Sequence, residues 1–139
     1  MTAKDYLRQA FRLDVRIDAK LTQLSSLREL AKRVRTTFGD APRSNAVNPH
    51  RTESIMEKIW KMEADIDKDI DRLVDLKAEI AATIAAVSHP RQRLLLELRY
   101  SCFHTWNEIA DKLDCSTDNV YALHKSALKS VKNIRKDLQ

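Results

Sequence analysis

Apolar residues recur every three or four positions over two long stretches and three short ones, a spacing that belongs to helices and not to strands. Over residues 2–38 the series Tyr6, Ala10, Leu13, Ile17, Leu24, Leu27, Ala31, Val34 and Phe38 keeps this step, with Lys20 alone out of pattern. Thr2 followed by Asp5 three residues on resembles a capping box at the start of this helix. Gly39 and Pro42 supply a stop, and Asp40 to Val47 reads as a loop. Asn48 then offers an N-cap, with Pro49 at the first helical position. A second stripe follows: Ile55, Ile59, Met62, Ile66, Ile70, Leu73, Leu76, Ile80, Ile84 and Val87. Each helix is expected to be roughly 50 Å long at a rise of about 1.5 Å per residue.

Two long helices joined by a short connection fold back on each other as an antiparallel, coiled-coil-like hairpin. Such a hairpin leaves part of each stripe uncovered. Leu7, Phe11 and Val15 on the first helix, with Met56 and Trp60 on the second, widen the stripes. Either a second copy of the chain or the C-terminal part of the same chain is expected to cover them. The second copy is preferred, so these five are the expected oligomer interface and a homo-oligomer, most simply a dimer, the expected state.

His89-Pro90 marks a boundary, because the residue before proline is pushed out of the helical region. The expected division is residues 1–88 as a hairpin for oligomerisation and residues 89–139 as a separate unit. Three shorter helices follow, at about 91–102, 105–113 and 116–135. Thr105 with Glu108 makes a T-x-x-E capping box, and Ser116 is a good N-cap. Between the last two helices, Asp114 sits where a left-handed residue is needed, a conformation aspartate tolerates better than most. Ile109, Ala110 and Leu113 are expected to face Val120, Leu123 and Leu128, with small Ala110 allowing a close crossing. The last forty-odd residues thus read as a helix-turn-helix, and the fold class as all-α.

Composition agrees and adds a partner. One glycine and three prolines in 139 residues are poor material for turn-rich β structure. Net charge is +5: 16 Lys+Arg against 14 Asp+Glu before residue 88, and 9 against 6 after it. The C-terminal third therefore holds more than half of the excess, and from Val120 on Lys125, Lys129, Lys132, Arg135 and Lys136 face only Asp137. That is the electrostatics phosphate binding needs, and a solvated lysine-rich terminus is an equally common cause of it. Two cysteines do not make a disulfide scaffold, so a reducing cytoplasm is expected. No apolar run is long enough to span a bilayer, and no membrane partner is expected.

The stretch PRQRLLLELRY, followed by TWNEIADKLDCSTDNVYALHKSALKSV, resembles region 4 of bacterial sigma factors. The matching elements are Leu98-Arg99-Tyr100, Glu108-Ile109-Ala110, Ser116 with Val120, and Ala127-Leu128. The opening MTAKDYLRQAFRLD and the segment DIDRLVDLKAEI are also similar to small phage and prophage proteins grouped with ArpU-like regulators of late genes. The resemblance implies a phage-encoded, sigma-like activator in a bacterial host, with double-stranded DNA and host RNA polymerase as partners. Carried onto this chain, the DNA-facing residues are Thr117, Asp118, Asn119, Tyr121, Ala122 and Lys125. Lys129 and Lys132 join Lys125 for phosphate contacts. Sigma factors usually hold arginines at several of these places; here there are none.

Other constellations carry less. Asp65, Asp67, Asp69 and Asp71 look like the start of a calcium loop, but lack its glycine at position 6 and acid at position 12. They read as a solvated helix face. Cys102, His104, Cys115 and His124 lack the paired grip of a structural zinc site. Trp106 reads as packing. No phosphate-binding loop or nucleophile set exists, so neither an enzyme nor a cofactor is expected. Besides a DNA-binding regulator, two functions compete: a module that docks on RNA polymerase or another protein, and a small terminase-like packaging component, in which the order of the two parts is usually reversed.

Overall fold

In the computed structural model, the described residues are 1–40 and 49–139, with side chains described for 1–34 and from His50 on. All regular structure among them is helical. α1 spans Ala3–Asp40 and α2 Pro49–Ala85; α3 is Pro90–Leu96, α4 Trp106–Leu113 and α5 Thr117–Ile134. Of the expected loop from Asp40 to Val47, Asp40 is instead the last residue of α1, and the rest, with the stop at Pro42 and the Asn48 cap, lies outside the described residues. α1 runs through Gly39, one turn's fraction beyond the expected end.

The chain divides into two compact units, Met1–Leu13 with Leu73–Gln139, and Asp14–Arg72. The first of these units joins the last three helices to the ends of α1 and α2. Small helical units bury a smaller fraction of their surface than large ones, so added apolar residues from the long helices enlarge this core.

In the first unit, Leu95, Leu96, Ile109, Val120, Ala127 and Val131 share one apolar cluster with Ala3, Tyr6, Leu7 and Ala10 of α1 and Ile80, Ile84 and Val87 of α2. Leu7, expected at an oligomer interface, is 0% exposed inside this cluster and is not available to a partner. Phe11 stays 40% exposed, but packs edge-on against Phe103 with ring centroids 5.5 Å apart. A polar clasp joins the elements of the same unit. Arg135, just past α5, donates to the Tyr6 hydroxyl at 2.7 Å and to Glu79 Oε1 at 2.9 Å, and its guanidinium lies 4.4 Å from the Tyr6 ring centre. The Tyr6 hydroxyl also meets Thr83 Oγ1 at 3.2 Å.

The second unit is antiparallel: Arg28 pairs with Glu63 at 2.8 Å, while Lys20, earlier in α1, pairs with Asp65 and Asp69, later in α2. Ile17, Leu24 and Val34 are buried on α1, and Ile55, Ile59 and Ile66 on α2. Lys20 occupies the inward position between Ile17 and Leu24, and its ammonium sits 2.6 Å from Asp65 and 2.5 Å from Asp69. The side chains of Lys20 and Asp69 are only 23% and 16% exposed. The expected stripe position Ile70 is instead 40% exposed. A seam with alternating steps of three and four passes from Ile66 through Asp69 to Leu73, because Asp69 is the residue that Lys20 needs. Two of the four aspartates read as a solvated face are therefore counter-ions to a covered lysine. Their hydrogen bonds raise the Lys20 pKa and lower that of Asp65.

Leu7→Ala should destabilise the chain by about 3 kcal/mol, as cavity-forming substitutions in cores do. Chemical denaturation should show this loss unchanged across protein concentrations; a loss confined to low concentration would put Leu7 back at an oligomer interface. Lys20→Met should lower the melting temperature by leaving Asp69 covered and unpaired. Adding Asp69→Leu should restore it, and a double variant no more stable than the single one would show that the pair does not set the seam.

Candidate nucleic-acid interface

α3 begins at His89, whose ring accepts from the Gln92 backbone N–H, with Pro90 at the first helical position. Directly after it, Glu97–Ser101 forms a π-helical turn closed by a Cys102 N–H to Glu97 carbonyl bond of 3.0 Å. The turn places Tyr100 in the core while Arg99 lies 4.2 Å over the Trp106 ring. Nothing in the local sequence signals it; the expected helix there was regular. Phe103 follows with a left-handed backbone, φ 59°, which costs a bulky residue about 1–2 kcal/mol. Its ring offsets this by packing on Phe11, with the Lys77 ammonium 4.8 Å from its centre.

α4 starts with the complete capping box: the Glu108 N–H donates to Thr105 Oγ1, and the Thr105 N–H donates to Glu108 Oε1. It ends at Asp114, which adopts φ 54°, ψ 52°, the left-handed turn expected from its place between the helices. Ser116 then caps α5 by accepting from the Asn119 N–H at 3.2 Å.

The inward face of α5 is Val120, His124, Ala127 and Val131. This corrects the expected set in part: Val120 is buried, whereas Leu123 and Leu128 only flank the core. His124 takes the central place. Its Nε2 lies 2.6 Å from the Tyr100 hydroxyl, and its ring stands against Trp106 with centroids 4.7 Å apart. Burial pushes the His124 pKa down to about 4, aided by the charges of Lys4 and Arg99, and burial pushes the Tyr100 phenol up to about 12. Both shifts favour neutral rings, so the phenol O–H, the better acid, donates to an unprotonated Nε2. His124 is thus a core residue. Among the described residues no three His, Cys, Asp or Glu side chains converge on a metal site.

The face opposite this core carries Asp118, Ala122, Lys125 and Lys129, all exposed. Tyr121 and Lys132 lie toward the α4 side, where the Tyr121 ring contacts Trp106 at 5.5 Å. Asn119 lies toward α3 and shares a shallow groove with Arg91, Cys115, Ala122, Leu123 and Ser126. Thr117 is half-buried at the helix start. Seven of the eight expected positions therefore come together on one exposed surface of α5. Arg91 and Ser126 were missed. Extending the helical period one turn past Ala122 would have found Ser126; Arg91 reaches the groove only because α3 crosses α5, where its guanidinium donates to the Leu113 carbonyl at 3.1 Å.

Residues 89–133 match the family model of sigma-70, region 4. Region 4 is a DNA-binding helix-turn-helix domain. No curated protein and no solved structure matches the chain. The region 4 segment runs from the cap of α3 nearly to the end of α5, about a third of the chain. It includes the whole candidate face and the Tyr100–His124 pair. The parts of α1 and α2 that complete its core lie outside it.

A histidine whose folded pKa is depressed stabilises the fold fully above its ordinary value of 6.5, and that stability is lost as pH falls toward about 4. Wild-type stability should drop by about 3 kcal/mol over this window. Urea titrations at several pH values should show His124→Gln, which keeps a partner for Tyr100, losing much less. Equal pH slopes in the two proteins would show that His124 is not held neutral.

Proposed function

We propose that this chain is a sequence-specific DNA-binding transcription regulator of a phage or prophage, acting as a sigma-like activator of late genes in the bacterial cytoplasm. The observation that carries the reading is the exposed polar and cationic face of α5 within a segment that matches sigma-70 region 4. In a helix-turn-helix the second helix enters the major groove, and the residues opposite its core meet the base edges. Asn119 is suited to an adenine edge and Ala122 to a thymine methyl, while Lys125, Lys129 and Lys132 meet phosphates. Tyr121, held edge-on by Trp106, presents its hydroxyl to the backbone on that flank.

α5 contains no arginine, and Asp118 lies on its outward face, so one copy binds with modest affinity. A homo-oligomer, most simply a dimer, raises it. Val15 and Trp60, 51% and 60% exposed, and half-buried Met56 are the residues we assign to the contact between copies. Two copies would address half-sites about 34 Å apart. The same weak electrostatics favour a second reading, in which the unit docks on RNA polymerase and touches DNA little.

A gel shift with late promoter DNA from the encoding genome, run beside a polymerase pull-down, distinguishes the two. Asn119→Ala should cost about 1–3 kcal/mol at one base position, and Lys129→Ala should weaken binding to every sequence and flatten its salt dependence. If neither substitution alters binding to any duplex, α5 is not the recognition helix.

A further inference from the structure

The first unit carries a second group of cations that the region 4 segment does not supply by itself. Its 13 basic side chains against 9 acidic ones hold +4 of the chain's +5, and residues 1–13 alone contribute +2. On α1, Ala3, Tyr6, Leu7 and Ala10 turn into the core. The helical period then sets Lys4, Arg8 and Phe11 together along one flank. Phe11 rests on Phe103, and Arg8 lines a small cleft with Phe11, Arg99, Tyr100 and Phe103. Arg99 continues the line onto the Trp106 ring, which touches Tyr121 and His124 of α5. The charges of Lys4 and Arg99 act on His124, and those of Arg8 and Arg99 on Tyr100. The three cations are thus one row, ending on the Tyr121 flank of α5.

Among the described residues, none of the three forms an ion pair with a carboxylate. Like charges four apart on a helix, as Lys4 and Arg8 are, repel by a few tenths of a kcal/mol, and an external anion relieves this. The place of the row identifies that anion. When a recognition helix lies in the major groove, the helix before it crosses the sugar-phosphate backbone. Here that helix is α4, and the row ends at Trp106, its first residue.

We propose that Lys4, Arg8 and Arg99 form a backbone-contact row for double-stranded DNA, through which α1 extends the phosphate footprint of the recognition helix beyond the region 4 segment. The inference rests on the DNA-binding reading above. It also accounts for a recognition helix without arginine, since part of the phosphate contact comes from another element.

The test is fluorescence anisotropy of the full chain on a labelled duplex of arbitrary sequence, across a salt series. Lys4→Gln and the Lys4→Gln/Arg8→Gln double variant are compared with wild type and with Lys61→Gln, an exposed change in the second unit. Each lost phosphate contact lowers the slope of log K against log salt by about 0.9. Lys4→Gln should lose close to this and the double variant up to twice as much, on all sequences alike, while Lys61→Gln matches wild type. Arg8 also lines the cleft beside Tyr100, so a double variant that melts early leaves the decision to exposed Lys4. Unchanged slopes in a chain whose slope Lys129→Ala does lower overturn the row and leave the DNA reading standing. Absence of binding by the wild type overturns both. Slopes that hold while retention on RNA polymerase is lost overturn the row in favour of an acidic protein surface.

Discussion

The helix-turn-helix of this chain depends on a core that it shares with the ends of the two long helices. Part of that core comes from residues far away in sequence: Leu7 and Ala10 of α1, and Ile80, Ile84 and Val87 of α2. Arg135 fixes the arrangement through Tyr6 and Glu79. Once α1 and α2 are held there, the orientation of α5 follows, and with it the face offered to a partner.

The long helices use charge in a different way. A lysine at an inward seam position is costly unless its charge is met. Lys20 is met by Asp65 and Asp69 one helical turn apart, so a single alignment of the two helices satisfies it. Any slip would strand the ammonium or one carboxylate. Setting register is the best attested use of polar groups in helical seams, and the geometry of this pair suits it. It also turns Ile70 outward.

At the candidate interface the hydrogen-bonded pair Tyr100–His124 has a comparable place. It sits in the core directly behind the outward face of α5, flanked by Trp106, and it is polar where the pattern suggested only aliphatic packing. Its neutrality matters, because an imidazolium at His124 would face the charges of Lys4 and Arg99. Keeping the rings uncharged allows the cations to gather on that flank.

Local chemistry made much of this legible in the residues themselves. The 3–4 spacing marked all five helices; Thr105 with Glu108, Ser116 and Asp114 marked the caps and the left-handed turn, because each acts on backbone groups within a few residues. The outward positions of α5 came from the resemblance to sigma region 4, and their cationic character from Lys125, Lys129 and Lys132. Long-range packing decided the rest. The burial of Leu7, the seam through Asp69, the role of His124, the left-handed Phe103 and the place of Arg91 all depend on residues dozens of positions away. A period says which side of a helix is apolar, but not which of two adjacent positions finds a partner. That choice belongs to the surface that comes to lie against it, and only the tertiary structure supplies that surface.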